Sequence, residues 1–491
     1  MDRQEIQTSE MTMNRIIAIC TALAAAISLF ATDVQTAVDR FAADSVLRYA
    51  SVGVEVYDIA KGTEVAGYRS TTADIPASNM KTITCATAIA SLGPDYRFVT
   101  PVKLIGHKHG HKFSGRIVVS GSGDPTIGSK YFADRPDFVT TIVERIAAQG
   151  IDKIDGEIVV EDGQISEAYE VNWNLDDVAW DYGAGSFLFN YADNCFRLPV
   201  EIGDSTITAG APSIDIKGLN VEVEATLFPD DDIRSKELNV LRGVDSSTIK
   251  IIGSTNRRNR STWFDCAMPQ PSEYFKSSLI KAMADGGIKI HQKISHAENP
   301  DTIWLVEYQS PTVAEIAKSA LERSDNMFTE CLLKAIGLRE FGIWNGAASV
   351  RIVRSYWRDK DIDINQLFMI DGSGLSRRNK VTPLFFGQML ASAQTSGLDH
   401  NVDYASLLPR LGIDGTVKRM LIDTPYAGNI CMKSGSMSQV LCYSGYYPVE
   451  SPRYVISVLV NDYLTSPTQM RNSICTFLLE LLPKLDLLIE E

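Results

Sequence analysis

The feature that most constrains this 491-residue chain is a set of three short polar motifs in a fixed order. The first pairs Ser78 with Lys81 at the start of an apolar helix predicted over 78–92. Residues three apart lie on one face of a helix, so the Lys81 amine can reach the Ser78 hydroxyl. A serine becomes a good nucleophile only when a base takes its proton. The other two motifs are Ser324-Asp325-Asn326 and Lys433-Ser434-Gly435-Ser436.

The first motif is weak evidence by itself, because the same Ser-x-x-Lys spacing recurs at Ser247–Lys250 and Ser278–Lys281. The first repeat lies in a predicted strand, where residues three apart point to opposite faces. The second lies on an ordinary amphipathic helix. The Lys-Ser-Gly pattern, in contrast, occurs once. The order and local context of the three motifs together therefore indicate a serine-nucleophile site.

Composition and the N-terminus narrow the function classes further. A formal net charge of −14 argues against nucleic acid as a partner.

Residues 16–31 form an apolar or small-residue run behind Arg15, too short to span a membrane comfortably. We therefore expect residues 1–31 to be a signal peptide, with export to the periplasm or cell envelope. The apolar stripe at 477–489 lacks a Lys/Arg-rich face, so we expect a packed helix and at most peripheral membrane association.

Metal and cofactor sites are not indicated. Besides Cys20 the chain has seven cysteines, an odd number without a CxxC pair, which predicts neither a zinc site nor a disulfide framework. His107, His109 and His111 alternate, and a solvated hairpin is favoured there over a metal site. The Arg-rich segment 257–260 predicts a hairpin tip, and the acidic residues 230–232 predict a plain turn. We expect no cofactor and no metal.

Local patterns predict a mixed α/β chain with a β-rich middle. A strand is predicted over 52–56. Short strands separated by Gly, Asp and Asn turns are predicted over 102–105, 116–120, 156–160, 195–202, 218–225 and 248–252. Helices are predicted over 138–148, 273–284, 313–322 and 328–338. Strands over 441–446 and 454–460 then precede a last helix, with Ser466 as its N-cap and Pro467 at its first position.

Motif spacing carries a resemblance to a known family. Ser324 follows Ser78 by 246 residues, and Lys433 follows Ser324 by 109. The chain resembles the active-site serine penicillin-recognising enzymes, in particular the low-molecular-mass class C penicillin-binding proteins, the D-alanyl-D-alanine carboxypeptidase/endopeptidase family. Class A β-lactamases have a much shorter first gap. Segments 121–126, 371–377 and 408–416 also look like that family's. One departure is Ser434, where Thr is commoner, although the hydroxyl is kept.

The resemblance implies an α/β (α+β) transpeptidase/β-lactamase-like domain, with an antiparallel sheet flanked by helices and interrupted by a large β-rich insertion. The catalytic domain is expected at 33–100 and 300–491. The insertion is expected to be an outer domain at 101–180 and 271–299, with a nested β-rich domain at 181–270.

The function implied is that of a serine D-Ala-D-Ala carboxypeptidase, endopeptidase or both, which acts on peptidoglycan stem peptides through an acyl-enzyme. β-Lactam antibiotics would be covalent inhibitors. The expected catalytic residues are Ser78, Lys81, Ser324, Asn326 and Lys433. The expected substrate-binding residues are Ser434, Gly435, Ser436, Asp181 in the Trp-Asp-Tyr-Gly segment, and Arg377.

Three alternatives are open at this point. A serine β-lactamase would lack the large insertion and the accessory segments. A catalytically silent peptidoglycan-binding scaffold would not need five chemically matched polar residues. An esterase of the same fold would leave Ser324-Asp325-Asn326 without a role.

Overall fold

The computed structural model describes residues 33–489, except 171, 231–236, 259 and 294–297. The predicted signal peptide at 1–31, Cys20, Asp231, Asp232 and Asn259 therefore lie outside the described residues. The chain divides into two compact units. The first holds the described residues up to Asn79, Trp357–Phe368 and those from Asn379 onward. The second holds Met80–Tyr356 and Met369–Arg378.

The helices and strands are numbered in chain order. The helices are α1 (33–42), α2 (Met80–Leu92), α3 (Phe138–Ala148), α4 (Pro271–Asp285), α5 (Val313–Arg323), α6 (Asn326–Phe341), α7 (Gly346–Arg358), α8 (Pro383–Ser396) and α9 (Pro467–Ile489). The strands are β1 (Ser51–Asp58), β2 (Thr63–Tyr68), β3 (Val99–His109), β4 (Lys112–Ser120), β5 (Lys153–Glu161), β6 (Cys195–Ile202), β7 (Ile207–Ala209), β8 (Asn220–Phe228), β9 (Leu238–Leu241), β10 (Thr248–Asn256), β11 (Ser261–Ala267), β12 (Lys289–Gln292), β13 (Asp301–Gln309), β14 (Leu367–Phe368), β15 (Lys380–Val381), β16 (Cys431–Met437), β17 (Val440–Tyr447) and β18 (Tyr454–Asn461).

Several helices begin at side chains that cap them. Thr312 and Glu315 form a reciprocal capping box at the start of α5. The Asp325 carboxylate accepts from the Phe328 N–H at the start of α6. Thr382 caps α8, whose first position is a proline. These caps satisfy N–H groups that the first helical turn leaves without backbone partners.

The first unit is built on a five-stranded antiparallel sheet with the order β16-β17-β18-β1-β2. Seven of the eight residues in β1 are buried, as are all residues of β17 and β18. Strands buried on both faces need helices on both faces. On one face α1 and α9 share a core with the strands, and the rings of Phe41 and Phe477 stack 4.6 Å apart. Helix α8 packs on β1 and β18.

The second unit contains the helices α2, α5 and α6, which pack together, and a five-stranded mixed sheet. This sheet has the order β12-β5-β4-β3-β13, with β4, β5 and β12 parallel. Its core residues come from the strands and from α3 and α4, including Phe138, Ile142, Phe275 and Leu279. Strand β13 pairs antiparallel with β3, although nearly 200 residues separate them.

Two smaller sheets complete the second unit. One has the order β11-β6-β7 and the other β8-β10-β9. Phe196, Leu198 and Val200 of β6 share a core with Ile249 and Ile251 of β10. The strand β6 alternates buried and exposed side chains, as expected of a sheet with one buried face. The two sheets therefore enclose a core of their own.

Most local predictions are confirmed. Helix 138–148 and strand 195–202 coincide with α3 and β6, and the expected fold class agrees with the antiparallel sheet flanked by helices. The three histidines lie on the β3–β4 hairpin. The Ser466 hydroxyl accepts from the Gln469 N–H at the start of α9, and apolar residues of α9 pack in the core of the first unit. In the described ranges no helix is long and apolar enough to cross a membrane.

One local prediction is wrong. The Arg-rich segment 257–260 is not the tip of a hairpin, because β10 and β11 on either side of it belong to different sheets. The error arises because a turn sequence looks the same whether its flanking strands pair with each other or with distant partners. The seven cysteines in the described chain are free thiols, five of them buried.

A buried carboxyl group lies inside the first unit. Glu55 on β1 is fully buried, and the helix residue Gly387 packs against its side chain. Among the described residues neither Glu55 carboxylate oxygen has a hydrogen bond within ordinary geometry. Burial, reinforced by the nearby Glu64 carboxylate, raises the pKa of Glu55 to about 10. The folded protein therefore holds this group in its neutral, protonated form at neutral pH.

Glu55→Gln should stabilise the fold at neutral and alkaline pH. The unfolded carboxyl ionises above about pH 4.5, whereas the folded one stays protonated until about pH 10. The folded state therefore binds more protons in this window, and stability falls as pH rises. The expected gain for the amide at pH 7 is about 1–3 kcal/mol. As pH rises from 5 to 9, the thermal unfolding midpoint should fall less in Glu55→Gln than in wild type. The exposed Glu307→Gln is the control, and parallel curves for wild type and Glu55→Gln would contradict the assignment.

Candidate active site

Ser78 lies in a short 3-10 turn, Ala77–Asn79, that leads directly into α2. It is partly exposed, whereas every other residue from 74 to 89 is buried. The turn is fixed on the sheet of the first unit by the Asn79 side chain, whose amide donates to the Ser444 hydroxyl at 3.0 Å. Ile75 exchanges hydrogen bonds with the Asn461 side chain. The structure therefore presents the Ser78 hydroxyl as an accessible group on a rigid, buried turn.

The third motif lies on β16 of the same unit, next to this turn. A Cβ atom on Gly435 would lie 2.4 Å from the Pro76 carbonyl oxygen and 3.1 Å from the Ser78 nitrogen. No other residue fits so close to a neighbouring backbone. Gly435 therefore lets β16 approach the backbone at Ser78. The next residue, Ser436, is exposed.

The other side chains of the third motif are fixed locally. Lys433 is fully buried, and its amine donates to the Ser434 carbonyl oxygen at 2.5 Å. The Ser434 hydroxyl is 2.6 Å from the Thr416 hydroxyl. Register with β17 places Lys433 opposite Ser444. In the first unit the structure thus brings together Ser78, Lys433, Ser434, Gly435 and Ser436.

Lys81, the predicted base, belongs to the second unit, where it is the second residue of α2. Its amine is fully buried and donates to the Asn326 Oδ1 at 2.5 Å and to the Ser373 carbonyl oxygen at 2.6 Å. Burial lowers the pKa of Lys81 to about 8, and the charges of Glu330, Asp371 and Asp325 oppose that shift. A large fraction of the amine is therefore neutral near pH 8.

The second motif connects α5 to α6. Ser324 ends α5 in a left-handed conformation, with φ of 62°, and the Asp325 side chain caps α6. Asn326 is the first residue of α6. Its side-chain oxygen accepts from Lys81, and its side-chain nitrogen donates to the Tyr182 carbonyl oxygen at 2.7 Å. The amide of Asn326 therefore joins the predicted base to the segment that carries Asp181.

Two buried carboxylates near Lys81 were not identified from the sequence. Glu330 accepts from the N–H groups of Ser373 and Gly372, at 2.7 and 3.2 Å. Asp371 accepts from the backbone N–H groups of Gly374 and Ser376 and from the Trp173 indole. Burial, with the nearby Asp371 charge, raises the pKa of Glu330 to about 8. These carboxylates fix the loop whose carbonyl oxygen receives the Lys81 amine.

A pattern in the sequence could have identified Glu330. Asn326, Glu330 and Lys334 follow one another at four-residue intervals on α6, so they share one face. All three side chains are buried. Polar residues repeated on one face of an otherwise apolar helix indicate a buried polar network rather than a solvent-facing surface.

Asp181 lies beside the second motif. It lines a pocket of about 170 Å³ together with Ser324, Asn326, Asp193 and Lys130. Its carboxylate accepts from the Tyr182 N–H at 2.8 Å. Although much of the residue is solvent-exposed, desolvation of the carboxylate by the pocket wall raises its pKa, with smaller contributions from nearby Asp265 and Asp325. The structure thus brings Asp181 together with Ser324 and Asn326.

Arg377 acts electrostatically on a different carboxylate, that of Asp177. Burial is the larger effect and raises the pKa of Asp177. The positive charge of Arg377 opposes this shift. The Tyr182 hydroxyl donates to Asp177 at 3.2 Å, and the Asn174 side chain donates at 3.1 Å. Asp177 was not singled out from the sequence, because no local pattern distinguishes it from its neighbour Asp176.

Comparison with known proteins decides the family. The model of the D-Ala-D-Ala carboxypeptidase 3 (S13) family matches residues 34–478. The chain belongs to this family. It is 24% identical over 475 residues to a D-alanyl-D-alanine carboxypeptidase of Actinomadura sp. strain R39, covering 94% of this chain and 87% of that protein.

Solved structures agree on the fold. Penicillin-binding protein 4 from Haemophilus influenzae superposes with a TM-score of 0.78 at 20% identity, over 92% of this chain and 99% of that one. The same protein complexed with a novel β-lactam gives a TM-score of 0.72 at 19% identity, over 93% and 99%. The expected family, fold and enzyme class are confirmed: the chain is a serine-type D-Ala-D-Ala carboxypeptidase of the S13 peptidases, and thus a hydrolase.

Proposed function

We propose that Ser78 is the nucleophile of a D-Ala-D-Ala carboxypeptidase, endopeptidase or both, and that it works with Lys81, Ser324, Asn326 and Lys433. Ser78 would attack the penultimate D-Ala carbonyl of a peptidoglycan stem peptide or cross-link and form an acyl-enzyme, which water then hydrolyses. The observation that carries this proposal is the buried Lys81 amine, whose pKa is lowered to about 8 in the stretch of chain that contains Ser78.

Lys81 is suited to the base because of its contacts. A neutral amine has two N–H donors and one lone pair. Asn326 Oδ1 and the Ser373 carbonyl oxygen accept two N–H bonds from the Lys81 amine, and its lone pair would take the Ser78 proton. A base with a pKa near the working pH transfers protons efficiently in both directions. Ser324 would relay the proton to the leaving amine, and Asn326 would hold the substrate amide.

The third motif would bind the end of the substrate. Lys433, with the hydroxyl of Ser434 or Ser436, is suited to the terminal carboxylate, because a charge-assisted contact to a carboxylate is strong when buried. The backbone N–H groups of Ser78 and Ser436 would form the oxyanion hole. The close approach that Gly435 permits between β16 and the Ser78 turn supports this pairing.

Asp181 and Arg377 would bind the side-chain arm of the stem peptide. Asp181 is suited to an amine, since it lines the pocket that contains Ser324 and Asn326. Arg377 is suited to a carboxylate on the same arm. The charge of Arg377 also acts on Asp177, which supports a second arrangement in which Asp177 takes the amine.

We also propose covalent inhibition by β-lactams, export by the signal peptide 1–31 and action at the cell envelope. A structural relative holds a β-lactam, which supports the first of these. The domain division given above is proposed as well. The three-stranded sheets formed within 195–267 support the nested domain 181–270, while the pairing of β13 with β3 favours outer limits at 99 and 309.

Ser78→Ala should abolish covalent labelling by a fluorescent penicillin and leave the fold intact. Only the hydroxyl is lost, and the turn is still held by the contacts of Asn79 and Ile75 with the sheet. Labelled protein is resolved on a denaturing gel, and circular dichroism checks the fold. Ser278→Ala is the matched control, because Ser278 and Lys281 have the same Ser-x-x-Lys spacing on the ordinary helix α4. This variant should label normally. Labelling that survives in Ser78→Ala would disprove the nucleophile assignment.

Acylation by penicillin should rise with pH and level off above about pH 8, because only the neutral Lys81 amine accepts a proton. Lys81→Ala should be slower by orders of magnitude and lose this inflection. Glu330 itself ionises near pH 8, so Glu330→Gln removes only the charge of the ionised fraction and should move the inflection slightly to lower pH. Stopped-flow acylation from pH 6 to 10 measures all three. An inflection that persists in Lys81→Ala would assign the base to another group.

Asp181→Asn should lower turnover of stem peptides with a free diamino-acid amine by about tenfold, the scale of one partly buried ion pair. Penicillin acylation should not change, since penicillin has no such arm. Asp177→Asn is the informative comparison. A loss confined to Asp177→Asn moves the amine site beside Arg377, and equal losses on peptide and penicillin would remove both residues from substrate recognition.

A further inference from the structure

A cavity of about 390 Å³ opens in the second unit beside β9, β10 and β11. It is larger than the pocket of about 170 Å³ that contains Ser324 and Asn326. Its volume lies within the usual range of small-molecule sites. Residues that define its chemistry are Trp180, Trp263, Phe264, Glu237, Thr255 and Thr262. None of the catalytic residues proposed above lines it.

The aromatic side chains of this cavity are held in fixed positions. The Trp180 ring meets the Phe264 ring edge to face at 5.4 Å, and its indole N–H donates to the Asn239 side chain at 3.0 Å. Trp263 is 58% exposed, and the Arg197 guanidinium lies 5.1 Å from its ring centroid. Rigid aromatic rings offer contact area at little entropic cost, and an exposed tryptophan beside a cavity is a candidate ligand platform.

The described polar groups of the cavity are one carboxylate and several hydroxyls. Glu237 offers carboxylate acceptors, while Thr262 and Ser261 offer hydroxyls that donate or accept. Among the described residues that line it there is no lysine, arginine or histidine. A ligand with one apolar face and several hydroxyl or amide groups would use both the aromatic rings and these polar groups. A pyranose ring has this character, since its C–H face stacks on indole while its hydroxyls point outward.

The cavity is linked to the second motif by one short turn. Trp180 lines the cavity, and the next two residues, Asp181 and Tyr182, line the smaller pocket with Ser324 and Asn326. The rings of Trp180 and Tyr182 are parallel within 14°, with centroids 6.1 Å apart. A single extended substrate could therefore contact both pockets on either side of this turn.

We propose that this cavity binds the N-acetylated amino sugars of the glycan strand that carries the stem peptide. This inference rests on the proposed function, since it assigns a second part of the same substrate. The amide of an N-acetyl group suits the short hydroxyls, and the sugar ring suits Trp263. Sugar binding would favour stem peptides still attached to the glycan over free peptides.

Titration with tri-N-acetylglucosamine, followed by isothermal calorimetry, tests the site without any catalysis. Saturable binding is expected, and Trp263→Ala should weaken it by about tenfold, as is usual for a tryptophan anchor. Trp304→Ala is the matched control, because Trp304 is 59% exposed but lies on β13 in a different sheet. Glu237→Gln should also weaken binding. Absence of binding, or equal loss in Trp304→Ala, overturns the proposal.

A second experiment compares the kinetics of two substrates. Wild type should have a higher kcat/KM for a disaccharide-linked stem peptide than for the same free peptide, and Trp263→Ala should lose that preference. If Trp263→Ala instead lowers kcat/KM equally for the free peptide, the cavity is a peptide site and the sugar assignment is wrong. Penicillin labelling of Ser78 separates the two proposals. A labelled protein that binds no sugar refutes only this inference, whereas sugar binding without labelling refutes only the proposed function.

Discussion

The burial of the Lys81 amine is the constraint on which the rest of the polar interior of the second unit depends. A buried ammonium is costly, so its surroundings must either neutralise it or solvate it. Here desolvation lowers the pKa, while the charges of Glu330 and Asp371 raise it, and the balance lies at about 8. The carboxylates are in turn stabilised by backbone N–H groups. The pKa of Lys81 is therefore set by several groups together, and no one of them can change without moving it.

Helix α6 supplies much of this balance. Asn326 contacts the Lys81 amine, Glu330 fixes the loop that provides the second acceptor, and Lys334 donates to the Ser186 hydroxyl. Lys334 also lies 3.4 Å from Glu170. A network of this kind must be satisfied throughout, because one missing partner leaves a buried charge. Because their polar side chains have partners, Asn326, Glu330 and Lys334 can be buried on a helix that otherwise packs with apolar residues.

Much of the fold and the central motifs could be predicted from the sequence because their signals are local. The periodicity of 138–148 and the capping sequence Ser466-Pro467 each determine one element directly. What could not be predicted depends on distant partners. The pairing of β13 with β3 and the separation of β10 from β11 are set by packing, and no turn sequence encodes them. For the same reason the effect of Arg377 on Asp177 and the contact of Glu330 with Ser373 were missed, since each involves residues more than 40 positions apart.

The turn Trp180–Gly183 shows that the β-rich region is more than a spacer. Asn326 uses one end of its amide for Lys81 and the other for the Tyr182 carbonyl oxygen, so the position of the turn and the environment of the base are coupled. The same turn separates the small pocket from the aromatic cavity. A ligand that moved Trp180 would therefore also act on Asn326, through two residues of backbone and one hydrogen bond. This connection gives a physical route from Trp180 in the β-rich region to the Lys81 amine, so the proposed sugar ligand would also act on the proposed proton transfer.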